Sequence, residues 1–491
     1  YYFVTARQLA AGKGFSEPFI WNYLDDPSGL PHPSHTYWMP LTSVVAAGAM
    51  ALFGDDFRAA QFPMFLSAVL LPLLAVSLAR RFDADRRLML SAGLISIFCG
   101  FFVPYFVTTD SFTIYAWIGS AVLLLSVDAS RQSKASTWFI VGVLAGLGYL
   151  TRADGVLLLL PAAVAIWWSG EARLKAVVSL AFGYLLCTGP WFVRNLIATG
   201  HVFPAGAGHT LWLLSYNELF SYPASQLTLG HWWQAGIGEI LSTRRWALGL
   251  ILQRLVAESG LVFMWPFMIV GAYHLRKRRE IRLAVLYLVL LVGLMTVVFP
   301  FAGAFGGFFH SSVALLPILC AIAPIGLDRS IDWFARIRKW DGAEAKKVLN
   351  AGALVLLILL SVGLTWSRVV GVSISSPRWE GPQRTYETVG EALSTLGRLE
   401  DIVAVNNPPG FFLATGMKAV VIPNGTPQTL HAVIDRYHVR WVILDVNHPD
   451  GLDALYTGAI SPNWLELELT TQDAIGDELQ IWKVVSSEST P

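Results

Sequence analysis

Charge is scarce in this chain. Only 14% of its 491 residues are Asp, Glu, Lys or Arg, against about 25% in soluble domains, which argues against an ordinary cytosolic enzyme. Neither sign dominates: 35 Lys and Arg stand against 34 Asp and Glu. No net field gathers nucleic acid, and no nucleic-acid partner is expected. Cysteine is nearly missing, with Cys99, Cys187 and Cys320 each inside an apolar run. None has a Cys or His at metal spacing, so neither a disulfide framework nor a zinc motif is legible. A phosphate loop is also lacking, because the glycines at 303–307 come without Lys-Ser/Thr and without a strand-to-helix context. There is no His-Glu-x-x-His, no Ser-His-Asp pattern and no tandem repeat. The chain opens on Tyr1 with neither Met nor a signal-peptide pattern, and the expectation is that a natural start lies upstream.

Apolar residues, at 54%, are what the chain has in quantity. A membrane-crossing helix needs about 20 mostly apolar residues. Ten stretches approach that length: 57–79, 88–106, 112–127, 138–150, 155–168, 177–191, 259–275, 281–299, 310–327 and 349–366. Lys and Arg gather at 80–87, 131–134, 173–175, 276–279 and 336–347. Two spans separate each cluster from the next, so all five share one side, the cytoplasmic one by the bias of basic loops. Counting 41–53 as an eleventh span would break this alternation, and it is short for crossing. It is expected to lie along the outer interface.

The predicted class is a polytopic α-helical membrane protein with a small extracytoplasmic α/β domain at its C-terminal end. Its parts are a first outer loop, 1–56, a helical domain of about ten spans, 57–366, and the α/β domain, 376–491. In that last part, strand-type runs at 401–405, 418–422, 440–444 and 479–485 alternate with a helix over 426–437, opened by Thr-Pro.

Ionisable residues at span mouths are the functional candidates, and they gather on the expected outer side. Asp110, in Thr-Thr-Asp-Ser-Phe, stands at a mouth, where a helix N-cap is the competing role. Arg152 and Asp154 punctuate a hairpin between two short apolar segments, either as a local ion pair or as an anion site. Arg194 follows Gly-Pro-Trp-Phe-Val at another outer end, where snorkelling is the alternative. With Arg244 and Arg245 as a weaker third mouth, such arginines suit bidentate phosphate binding. His35 and His310 sit at outer junctions, as packing residues or as ligands, and Asp25 and Asp26 read as a turn.

In this order the motifs resemble the polyprenyl-phosphate-sugar-dependent glycosyltransferases of the membrane GT-C superfamily, of the protein-mannosyltransferase and lipid A aminoarabinose-transferase type. Tyr1 to Phe15 resembles the start of the family's first outer loop. His35-Thr-Tyr-Trp-Met-Pro-Leu through Gly54 resembles its juxtamembrane helix. Thr109-Asp110, Leu150-Thr-Arg152 and Pro190-Trp-Phe-Val-Arg194-Asn resemble later outer-loop motifs. The resemblance implies an inverting transfer of a monosaccharide from a polyprenyl-phosphate donor to a hydroxyl acceptor, which is a protein, lipid or polysaccharide. It implies Arg152, Arg194 and His35 at the donor phosphate, and Asp110 in a supporting catalytic role or holding a divalent metal. Asp154 and His310 would line the substrate. The family's acidic general base aligns before Tyr1, so the expectation is that this stretch of chain lacks it. The rival class is a transporter or lipid flippase, which would concentrate charge near the midplane and show repeated halves. A non-catalytic membrane assembly factor is the third reading.

Overall fold

Short acidic side chains start several helices. Asp56 accepts the amide of Ala59 at 2.7 Å, Asp85 that of Leu88 at 2.9 Å and Asp341 that of Glu344 at 2.8 Å; each satisfies an N–H that a helix start leaves unpaired. The computed structural model describes residues 1–132, 134–170 and 173–485, so positions 486–491 of the expected tail domain lie outside the described residues. Two compact units form: Trp38–Arg194 with Leu241–Arg368, and Tyr1–Tyr37 with Asn195–Ile240 and Val369–Pro491.

The first of these is helical. Among the described residues, six helices are long and apolar enough to cross a membrane: Phe57–Arg81, Phe112–Gln132, Arg173–Thr199, Arg279–Val298, Pro300–Arg338 and Gly342–Val370. The other four expected spans, several of them already short in the sequence, fall on shorter helices, Arg86–Ile97, Ala135–Thr151, Ala153–Trp167 and Trp265–His274. Local breaks explain the shortfall. Gly100 at φ +62° and Pro104 turn the chain into a 3-10 segment after Ile97, and Arg152 is extended between Thr151 and Ala153. Leu41–Phe53 is a single helix ending at Gly54.

Small residues let these helices touch. A Cβ on Gly142 would meet the Leu180 carbonyl oxygen at 2.1 Å, and one on Gly326 the Phe267 oxygen at 1.8 Å; only Gly permits such backbone approach. Leu316–Arg338 is the central helix, with nearly every residue from Leu316 to Asp328 buried. The basic clusters meet at one end of the unit. Arg81 bonds Asp128 at 2.9 Å and Glu280 at 2.9 Å, and Arg131 reaches Glu280 at 3.3 Å. Arg87 and Lys346 share Asp328 at 2.8 and 3.3 Å, and Arg279 lies over the Trp168 ring, beside the 173–175 cluster. All five clusters are thus joined through packed neighbours, as alternation requires.

The second unit is an α/β body. Its strands are β1 Ser16–Glu17, β2 Phe19–Ile20, β3 His32–Pro33, β4 Ile402–Val405, β5 Ala419–Val421, β6 Val439–Leu444, β7 Leu465–Gln472 and β8 Glu478–Val484. β1 and β3 pair antiparallel; the others form one sheet in the order β2-β5-β4-β6-β8-β7. The β2 to β6 part is parallel, with Val403 opposite Ala419 and Ala404 opposite Val442, and β8 and β7 add antiparallel. Parallel sheets need both faces covered. Ala404, Val420 and Val442 pack with Leu430 and Val433 of the helix Pro427–Tyr437. Val403, Val405, Trp441 and Ile443 pack with Leu393 and Phe411 of the helices Gly381–Leu396 and Pro408–Thr415. Through β2, the Tyr1–Tyr37 part of the first loop joins the sheet formed by the C-terminal strands.

Candidate functional site

The helix Phe112–Gln132 has Arg131 at its basic end. At about 1.5 Å per residue, Asp110 at its other terminus is roughly 30 Å away. Ser111, not Asp110, holds the cap position, since its carbonyl takes the Tyr115 amide at 2.9 Å. Asp110 is free of capping and instead uses Oδ1 to accept the amide and hydroxyl of Ser111. Its Oδ2 lies 3.3 Å from His310 Nε2. On the imidazole's far side, Nδ1 lies 2.9 Å from the Gly306 carbonyl. Both ring nitrogens thus face oxygen atoms. The Phe112 ring stacks on the imidazole, centroids 4.1 Å apart. Burial alone would raise the Asp110 carboxyl, but the His310 charge and hydrogen bond, with the Ser111 donors, hold it below the ordinary carboxylate range.

Arg152 and Asp154 form the local ion pair, Nε to Oδ1 3.0 Å, with side chains 16% and 10% exposed. The pair is also built into the same strip as His310. Arg152 Nε is 2.9 Å from Ser311 Oγ and its NH2 is 3.4 Å from the Gly307 carbonyl, while the Ser311 hydroxyl donates to Asp154 Oδ2. Beneath them Tyr287 donates to the Ser311 carbonyl at 3.3 Å, and its hydroxyl meets that of Tyr115 at 2.9 Å. Adjacent residues, His310 and Ser311, therefore hold the two charged pairs together. The strip is irregular: Gly306, at φ +133°, interrupts the π-helical Gly303–Gly307 segment, and π segments mark functional sites often.

The structure brings together Asp110, Arg152, Asp154 and His310. Arg194 is at 4.7 Å over the ring of Trp191, one turn back in its own helix. His35 belongs to the other unit and is wholly buried. Its Nδ1 meets Ser34 Oγ at 2.8 Å, its amide bonds Tyr1 Oη at 2.7 Å, and the Tyr1 and Phe15 rings flank it. These contacts pack the imidazole within that unit. Asp25 and Asp26 do more than turn the chain: Asp25 pairs with His32 at 3.0 Å and Asp26 with Arg436 at 3.2 Å. Among the described residues no three His, Cys, Asp or Glu are grouped to hold a metal ion. Asp110 with His310 alone does not fit a divalent metal centre. Sequence reasoning missed Ser311, Tyr287 and Tyr115; the hydroxyls carry no spacing signal, although Ser311 directly follows His310.

Comparison with known proteins finds relatives over part of the chain. Residues 32–193 match the model of the dolichyl-phosphate-mannose-protein mannosyltransferase family. The undecaprenyl phosphate-α-4-amino-4-deoxy-L-arabinose arabinosyl transferase of Pseudomonas aeruginosa is 31% identical over 168 residues, 32% of this chain and 29% of that protein. Its counterpart in Pseudomonas paraeruginosa is 31% identical over 173 residues, again 32% and 29%. The matched segment thus spans less than a third of either relative. Among solved structures, ArnT from Cupriavidus metallidurans bound to undecaprenyl phosphate superposes with a TM-score of 0.54 at 13% identity, over 100% of this chain and 94% of that one. The apo form gives 0.54 at 14%, with the same coverage. The chain has an ArnT-like fold, with six helices among the described residues long and apolar enough to cross a membrane. In sequence its likeness, over 32% of the chain, is to the aminoarabinose transferases, and over residues 32–193 to the protein mannosyltransferases.

Proposed function

We propose that the protein is a glycosyltransferase that moves a monosaccharide from a polyprenyl-phosphate donor to a hydroxyl acceptor at the outer membrane face, with inversion. The observation that carries this reading is the pairing of Asp110–His310 and Arg152–Asp154 on neighbouring residues of one strip, at the end of the helical unit away from its basic clusters. The relatives supply the donor class.

The chemistry is a single displacement. The acceptor oxygen bonds to the anomeric carbon as the carbon–oxygen bond to phosphate breaks, and the lipid phosphate leaves with growing negative charge. A carboxylate takes the hydroxyl proton as attack proceeds. Cations fixed in advance stabilise the leaving charge best. Arg152, held by a carboxylate, a hydroxyl and a carbonyl, is such a group, and Arg194 is the second. Asp110 keeps His310 oriented. The lipid tail is the membrane partner, and the α/β unit is the surface for an acceptor.

Purified protein with radiolabelled undecaprenyl-phosphate sugars tests the proposal: transfer of label to an acceptor is expected. Movement of intact labelled lipid across a vesicle, without release of sugar, would favour the flippase instead. Asp110→Asn is expected to lower transfer about 100-fold with little change in melting temperature; thermal loss at retained turnover would mark Asp110 as structural. Arg194→Ala is expected to weaken donor binding about 10- to 100-fold, the worth of a charge-assisted hydrogen bond. Unchanged donor affinity would remove it from the phosphate site.

A further inference from the structure

A third carboxylate, besides Asp110 and Asp154, stands beside this strip. Glu258 lies in the π-helical segment Leu255–Ser259 and is 9% exposed. Oε1 accepts from Arg254 at 2.7 Å. Oε2 is buried with no hydrogen-bond partner, an unfavourable state for a charged acceptor unless a donor arrives. The next residue ties it to the site: Ser259 Oγ and Ser312 Oγ are 3.0 Å apart, and Ser312 follows His310 and Ser311. Burial raises the Glu258 carboxyl above the ordinary carboxylate range, against the charges of Arg254, Arg368 and His310, which lower it.

The backbone around it is held in an uncommon form. Leu261 and Val262 have φ of +50° and +64°, a region that a β-branched residue adopts rarely. Such conformations persist only where the surroundings impose them, and they collect at ligand sites. A straight helix through this region would be the ordinary outcome for so apolar a sequence. The chain instead keeps a buried acceptor on a distorted turn next to the charged strip.

We propose that Glu258 positions the transferred sugar, its Oε2 accepting a hydrogen bond from a hydroxyl or amino substituent of the lipid-phosphate-linked monosaccharide. This rests on the sugar-transfer reading above. Glu258 takes no part in bond making; it fixes the ring against the phosphate cations. Neutral and amino sugars offer the same donor chemistry, and the experiment separates them.

The test uses the whole protein with three probes: undecaprenyl phosphate alone, and undecaprenyl phosphate carrying either mannose or 4-amino-4-deoxy-L-arabinose. Glu258→Gln keeps the side-chain volume and an acceptor for Arg254. It is expected to raise KM for a sugar-bearing lipid about 10- to 100-fold, with kcat less affected and affinity for the bare lipid phosphate unchanged. Loss confined to the aminoarabinosyl lipid identifies an amino donor, and loss with both lipids identifies a hydroxyl. Arg254→Gln, which removes the partner but keeps the carboxylate, is expected to change these values much less. Glu258→Asp, as a second variant, should reproduce the selective loss. Equal effects of Glu258→Gln and Arg254→Gln, or equal weakening of bare and sugar-bearing lipid, would overturn the proposal and make Glu258 a structural ion-pair partner. If the unaltered protein binds none of the three lipids, the transfer reading itself falls, and the proposal with it.

Discussion

Arg152→Ala is expected to abolish sugar transfer and to destabilise the helical unit by about 3–5 kcal/mol, the usual consequence of stranding one member of a buried ion pair. Asp154 is 10% exposed, so little water reaches its carboxylate once the guanidinium is gone. The hydroxyl of Ser311 remains on Oδ2, which places the loss toward the lower end of that range. The double variant Arg152→Ala with Asp154→Ala separates structure from function. With no orphan charge left, most of the stability should return, while transfer stays absent because the leaving phosphate has lost its cation. Arg152→Lys is informative as well. A point charge on a flexible stem cannot serve Asp154, Ser311 and the Gly307 carbonyl at once, so reduced turnover with near-normal folding is expected. Denaturant unfolding in detergent, run beside the transfer assay, checks each outcome. Full turnover in the double variant would reduce the pair to a hairpin fastener.

Much of this architecture was legible because the bilayer constrains it so strongly. A segment must be long and apolar to cross, and basic loops stay on one side, so composition located the helices and grouped the five basic clusters before any contact was known. The segment at 41–53 emerged as a helix with the same bounds. Length was harder to read. Hydropathy cannot register that Gly100 and Pro104 turn the chain, or that Arg152 sits extended between two short helices. In the α/β unit, the strands expected at 401–405, 418–422, 440–444 and 479–485 each appear within a residue or two of those bounds. Leu465–Gln472 was missed because its pattern is mostly polar: it is an edge strand, exposed for most of its length. Phe19–Ile20 was missed for a different reason. Two residues carry no periodicity, and their partner, Ala419–Val421, is about four hundred positions away. The site follows the same logic. Costly charges such as Asp110, Arg152 and His310 announce themselves, whereas Ser311, Tyr287 and the carboxylate of Glu258 acquire meaning only through what they touch.

The α/β unit carries its own buried charge cluster, and its removal gives the second large effect. His32 lies between two carboxylates, Nδ1 3.4 Å from Glu17 Oε1 and Nε2 3.0 Å from Asp25 Oδ2, with side chains 8%, 5% and 5% exposed. Burial alone would lower the imidazole, but hydrogen bonds and charge from Asp25 and Glu17 push it up to about 9. The sign follows from linkage. Because the folded value lies above the ordinary 6.5, the stabilisation is complete below about pH 6.5 and fades as pH rises through about 9. Melting of the whole protein, followed by tryptophan fluorescence, is therefore expected to weaken between those values. His32→Ala should remove that slope and cost about 3–5 kcal/mol below it, since it leaves Glu17 and Asp25 buried against each other with no cation between them. His32→Gln supplies a donor without a charge, and should recover part of the stability with none of the pH dependence. A pH slope that survives both substitutions would assign the titration to another group and leave His32 as an ordinary hydrogen-bonded residue of the β1–β3 pair. The titrating group and its two carboxylates all lie in the α/β unit, so these outcomes do not depend on the proposed sugar transfer.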